Sequence, residues 1–239
     1  MVNFFDMEKI INLLKENVDN EYKVFLEKLI PNIPSSKILG IRKPILKKLA
    51  KEINSGAINV NKKDVNYFLD CLPHRYHEEN ILHCYLLMEE YDKCLLISRL
   101  EKFLPYIDNW ETCDLLTPKP LLRDKILLHE KCTNWIDSDE PYIKRFAIVT
   151  EKKTLKYGID KELFDKIVHI SSQEYYINMA VAWYLQEAIL YDEKLVLSVL
   201  ESEFLSGDIF KFTIRKINDS FRVANTVKML VNAIKNKIK

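Results

Sequence analysis

The residues best suited to chemistry lie in Asp108-Asn109-Trp110-Glu111-Thr112-Cys113-Asp114. In a helix, Trp110 and Asp114 are four residues apart and share one face, one turn apart. Asp108 or Asn109 can cap the start of that helix, because a short side-chain oxygen accepts from the free amide N–H groups there. A large aromatic beside a carboxylate is a poor choice for a core and a useful one for a site. A fixed anion stabilises positive charge as it develops, and an indole face suits a sugar or a nearby cation. The plain alternative is a core tryptophan beside a solvated surface acid.

Other candidates carry less. His74, His77, Glu78 and His83 have spacings that a metal could use, but they gather at a helix start, and no metal is expected. Cys113 adjoins Asp114, yet no histidine stands near it in sequence to activate a thiol. Trp135 is expected in a core. The five cysteines show no C-x-x-C spacing and read as free, packing thiols. With only four glycines (Gly40, Gly56, Gly158, Gly207), neither a Gly-x-Gly-x-x-Gly nor a phosphate loop can be written, and no cofactor is expected.

The elements that must position these residues read as helices. Glycine this scarce argues against hairpins. Apolar residues recur at helical spacing from residue 4 to 17 and again from Asp19 to Leu29, where Pro31 and Pro34 break the chain. Gly40-Ile41-Arg42-Lys43-Pro44 reads as a turn in which proline opens the next helix, and Gly56 stops that helix. Ser138-Asp139-Glu140-Pro141-Tyr142-Ile143-Lys144 resembles Ser172-Gln173-Glu174-Tyr175-Tyr176-Ile177-Asn178, an offset of 34 residues. Ser206-Gly207-Asp208-Ile209-Phe210-Lys211-Phe212 follows at the same offset, and Pro73-His74-Arg75-Tyr76 precedes the first copy by two periods. A second helix fits before each next copy, as over Leu121–Trp135 and Leu163–Ile170. Two helices per repeat of this length predict an all-α fold, an α-solenoid forming one domain over 1–239. One helix of each pair then lines the concave side. Trp110 and Asp114 fall one period before Lys144 and Ile148, so Asp114, Trp110, Arg145 and Trp183 are expected on equivalent helices, facing one groove.

The formal net charge is +1, but unevenly spread. Lys211 to Lys239 holds eight Lys or Arg, among them Lys211, Arg215 and Lys216, against the single acid Asp219. Lys37 to Lys51 holds Lys37, Arg42, Lys43, Lys47, Lys48 and Lys51 with no acid. Two basic patches on a near-neutral chain predict an anionic partner. Ordinary solvated helix faces are the alternative.

Several stretches together resemble the AlkD-type DNA alkylation-repair glycosylases, built from HEAT-like repeats. They are Ile38-Leu39-Gly40-Ile41-Arg42-Lys43-Pro44 with Leu49-Ala50-Lys51, Tyr76-His77-Glu78-Glu79, Asp108-Asn109-Trp110 with Asp114, Lys144-Arg145-Phe146-Ala147-Ile148, and Met179-Ala180-Val181-Ala182-Trp183. Each motif alone is unspecific; the ordered set covers most of the chain. The resemblance implies removal of purines alkylated at N3 or N7 from duplex DNA. It implies Asp114 as the catalytic carboxylate, Trp110 and Trp183 flanking the deoxyribose, and Arg145 on a backbone phosphate. Gln186 stands where many members of that family carry arginine. Some members of the wider family bind DNA without glycosylase activity, so a non-catalytic binder of damaged or branched DNA is the second reading. A protein-interaction scaffold is the third. The chain is expected to act in the cytoplasm as a monomer, without a membrane span or signal peptide.

Overall fold

Short polar side chains set the helix starts. Asp19, Asn61, Asp92, Asn109, Asp124, Asp160, Asp192 and Ser206 each accept a backbone N–H from the first turn of the helix that follows. Pro44 lies in the opening turn of its helix, and Gly56 closes that helix in the left-handed conformation, as the sequence predicts. The computed structural model describes residues 5–202 and 204–237, so Phe4 and Lys239 lie outside the described residues. Among the described residues there are fifteen α-helices, three short 3-10 turns and no strand. No described helix is long and apolar enough to cross a membrane.

Two packing units meet in sequence between Pro120 and Leu121. The first contains α1 (Phe5–Lys15), α2 (Asn20–Leu29), α3 (Lys43–Ser55), α4 (Lys62–Asp70), α5 (His77–Met88), α6 (Lys93–Phe103) and α7 (Trp110–Leu115). The short α8 (Lys119–Leu122) runs across the division. The second contains α9 (Lys125–Ile136), α10 (Pro141–Lys152), α11 (Lys161–Val168), α12 (Tyr175–Ala188), α13 (Glu193–Glu201), α14 (Gly207–Asp219) and α15 (Asn225–Lys237).

Each unit is built on one helix that is buried nearly all round. In the first, α5 buries His77 to Cys84 together with Leu86 and Leu87. It packs against α3, α7, α1 and α6. Its Ile81 and Leu82 join Ile10, Leu14, Leu46, Leu49 and Phe68 in one core. Each such side chain stabilises the fold by about 1.5–3 kcal/mol relative to exposure. In the second, α12 buries Ile177, Ala180 to Ala182, Tyr184, Leu185 and Ala188 between α10 and α14. A second row, α9 with α11 and α13 with α15, backs α10 and α14.

Helices α5, α7, α10, α12 and α14 start at residues 77, 110, 141, 175 and 207, in steps of 33, 31, 34 and 32. A recurring unit of that length is present, but its step varies. The fixed offset of 34 is therefore corrected at α7, where Trp110 opens its helix while Lys144 lies in the fourth position of α10. The helix expected over Leu121–Trp135 is interrupted, because Asp124 caps a fresh start at Lys125.

Candidate functional site

Helix α7 has six residues and too few turns to hold itself. Its neighbours fix it. Asn109 caps it by accepting from the Thr112 N–H at 2.9 Å. The Asn109 amide also donates to Asp108 Oδ1 at 2.9 Å and to Thr112 Oγ1 at 3.1 Å. On the inner face, Glu111, Thr112 and Cys113 are buried, and the Cys84 thiol reaches the Thr112 carbonyl at 3.7 Å. Glu111, 3% exposed, is the main clamp. It is met by His77 Nε2 of α5 at 2.9 Å and by Lys43 Nζ of α3 at 2.7 Å. Burial alone raises the Glu111 pKa, but the hydrogen bonds from His77 and Lys43 outweigh it and hold the carboxyl below its usual value. The His77 ring turns its Nδ1 toward the Asn109 amide nitrogen at 3.4 Å.

With the inner face fixed, the outer face presents Trp110 and Asp114, both half-buried, as the four-residue spacing predicts. Trp110 packs on the cluster of Leu26, Ile30, Ile33 and Ile38 and donates from Nε1 to the Leu29 carbonyl at 3.4 Å. A second clamp holds the loop that leads to Lys43. Glu78 of α5 accepts from three successive N–H groups, Leu39 at 2.9 Å, Gly40 at 2.7 Å and Ile41 at 3.3 Å. Gly40 takes φ of +90°, and a Cβ there would stand 2.6 Å from the Asp19 carbonyl oxygen.

The basic patch at 37–51 is more paired than the sequence suggests. Arg42 binds Asp19 at 2.9 Å and lies over the Tyr22 ring; Lys43 binds Glu111; Lys48 pairs with Glu52 at 3.5 Å. Lys47, with Lys51, Lys119, Tyr85 and Leu115, lines a cleft of about 280 Å³ at the end of α7. His74 and His83 are 2.9 Å apart and stack on Phe68 and Phe103, so they are packing residues, each held neutral because burial lowers its pKa. Trp135 is buried against Phe146, as expected.

In the second unit, Arg145 is only 5% exposed. Its Nη1 donates to the Tyr176 carbonyl at 2.6 Å and ties α10 to α12. Lys144, its chain neighbour, is half-buried. Trp183 is half-buried. Lys152 Nζ lies 2.9 Å from its ring centroid and Lys216 Nζ 5.9 Å. Trp183 and Gln186 help to line a cavity of about 450 Å³ with Lys152, Lys153, Lys156 and Arg222, four cations against the single carboxylate of Glu187. Glu187 is met twice by Arg222 Nη1, at 2.8 and 2.7 Å. Of the predicted C-terminal cations Lys211, Arg215 and Lys216, the structure brings Lys216 to Trp183. Lys211 and Arg215 lie on another face of α14 and line a separate groove with Phe210, Ile214 and Lys235.

Sequence reasoning missed the Lys152, Lys153 and Lys156 cluster and took Lys43 for a surface cation. The first lies outside both basic patches that the sequence singles out. The second had a partial signal: Glu111 lies about 100° around the helix from Trp110, so it can turn inward while Trp110 and Asp114 face outward, and a buried acid needs a cation.

No individually curated protein matches the sequence. A family described as DNA alkylation repair enzyme matches residues 10–216, which takes in α7, Lys144 and Arg145, Trp183 and the lysine cluster beside it. The chain therefore belongs to the DNA alkylation repair enzyme family.

Proposed function

We propose that the protein is a DNA glycosylase that hydrolyses the N-glycosidic bond of purines alkylated at N3 or N7 in duplex DNA. The observation that carries this reading is Asp114, half-exposed one turn from Trp110 on a helix whose inner face is locked by Glu111. An alkylated purine already bears positive charge and leaves without being protonated, so one carboxylate suffices. As the base departs, the sugar becomes oxocarbenium-like, and the Asp114 anion stabilises that charge. The same carboxylate orients the attacking water, as one does in glycoside hydrolysis. Trp110 supplies an apolar face for the sugar. Trp183 and its lysines supply an aromatic face and phosphate contacts. No cofactor enters.

Because Arg145 is buried, Lys152, Lys153, Lys156 and Lys144 are the better phosphate contacts, with Lys47 and Lys51 on the first unit. The HEAT-like solenoid reading fits the recurring helix starts and the two rows of helices in the second unit. The second reading is DNA binding without catalysis, which the Trp183 cluster supports independently of Asp114. Release of 7-methylguanine from methylated duplex DNA separates the two. The glycosylase reading expects release by wild type and a fall of roughly 10²–10³ in Asp114→Asn, the scale of losing one preorganised electrostatic contact. No release by wild type at any enzyme excess leaves the binding reading.

A further inference from the structure

The turn between α14 and α15 displays one side chain in an unusual way. Phe221 is fully exposed, at 104% of its reference area. A phenylalanine with nothing against it forfeits the burial that its ring would otherwise gain. Its two chain neighbours, by contrast, are tied down. Ser220 Oγ accepts from the Gln186 amide at 3.4 Å and from the Arg222 N–H at 3.3 Å. Arg222 grips the Glu187 carboxylate. Both tethers end on adjacent residues of α12, one turn beyond Trp183. The turn is thus pinned on either side of an outward-pointing ring.

The surroundings state what the ring would meet. Ser220 and Arg222 line the cavity that also holds Lys152, Lys153, Lys156 and Trp183. An aromatic ring beside a cluster of cations is the combination that binds a nucleic-acid strand, with phosphates on the cations and a base on the ring. Apolar wedges enter base steps in the same way. The family match ends at residue 216, so Phe221 belongs to the part of the chain that the match does not cover. We propose that Phe221 is a base-contacting wedge, whose ring stacks on a nucleobase next to the phosphates held in the Trp183 cavity. This rests on the DNA-binding part of the proposed function.

The test uses the full chain and a duplex carrying 2-aminopurine, with and without a single unpaired base. Affinity is read by anisotropy, and stacking by 2-aminopurine fluorescence. Phe221→Ala removes no packed atom, so the fold is kept. The proposal expects affinity for the duplex with the unpaired base to fall roughly 5- to 100-fold, the range for losing one base–aromatic stack. The protein-induced fluorescence change should vanish, and Phe221→Trp should restore both. The slope of affinity against salt should stay that of wild type, since no phosphate contact is lost. Unchanged affinity and fluorescence in Phe221→Ala, with wild type binding normally, overturns the wedge alone. Absence of salt-dependent binding by wild type overturns the wedge together with the DNA reading it stands on.

Discussion

The two units present their candidate residues by opposite means. In the first, Asp114 is aimed by charges that lie inside: Glu111 between Lys43 and His77, and Glu78 under three backbone N–H groups. In the second, Trp183 is surrounded by cations at the surface: Lys152, Lys153, Lys156, Lys216 and Arg222. Buried, fully partnered charges fix geometry and hardly feel salt. Cations on long stems that reach the surface, Arg222 on Glu187 apart, fix little, but they attract an anion from a distance and are screened by salt. Reaction rate should therefore depend on the inner network of the first unit, and affinity on the open cluster of the second.

The comparison is tested most severely at Gly40. Gly40→Ala forces a left-handed backbone onto alanine and drives its Cβ into the Asp19 carbonyl and the Lys23 side chain. A loss of about 2–5 kcal/mol in urea-measured stability is expected, summing the left-handed penalty and overpacking. A loss under about 1 kcal/mol would show that this loop is not held as described.

The units should also answer pH with opposite signs. In the second, burial and then the Asp160 charge raise the Glu151 carboxyl to about 7, and a hydrogen bond to Asp160 raises His129. A pKa raised on folding gives stability that is present below the unfolded value and is lost as pH rises through the folded one. For Glu151 the window runs from about pH 4.5 to 7 and is on the order of 3 kcal/mol. In the first unit, burial lowers His74 to about 4 and takes His83 well below its ordinary value, so its stability is lost as pH falls below 6.5. The depressed Glu111 acts in the same direction, while Glu79, raised by burial, opposes it. Urea melts of Glu151→Gln and wild type at pH 5 and pH 8 check the sign. The variant should gain on wild type at pH 8 and not at pH 5; an equal offset at both contradicts it.

A similar, somewhat smaller effect is expected at Glu111. Glu111→Ala leaves His77 and Lys43 without their acceptor. Breaking a buried pair typically costs about 3–5 kcal/mol, and Lys43, which reaches water, brings this toward about 2–3. Single-turnover base release should fall as well, with DNA affinity nearly unchanged, because Asp114 loses its aim and keeps its own charge. Equal losses in rate and affinity would place Glu111 in the binding surface instead.

Much of this was legible in the sequence where the physics is local. Asn109 as a cap, Pro44 and Gly56 as helix bounds, and the shared face of Trp110 and Asp114 all depend on spacings of a few residues. What was hidden is non-local. His77 and Glu111 are 34 residues apart, and the Gly40 N–H finds Glu78 at a separation of 38. Arg145 reads as a surface cation because nothing in its own helix says that α10 is covered by both α9 and α12. Lys152, Lys153 and Lys156 read as a solvated helix end until Trp183, on another helix, is placed beneath them.

The most direct test of this division of labour measures rate and affinity together, on methylated duplex DNA under single-turnover conditions with saturating enzyme. Asp114→Asn is compared with the double variant Lys153→Ala/Lys156→Ala. For Asp114→Asn the saturated rate constant should fall roughly 10²–10³. Its Kd should stay within about twofold, with the salt slope unchanged. For the double variant Kd should rise about 10-fold at moderate salt and the salt slope drop by up to about 2, while the saturated rate stays within about threefold. Matching losses of rate and affinity in both variants, or an Asp114→Asn rate equal to wild type, would contradict the account.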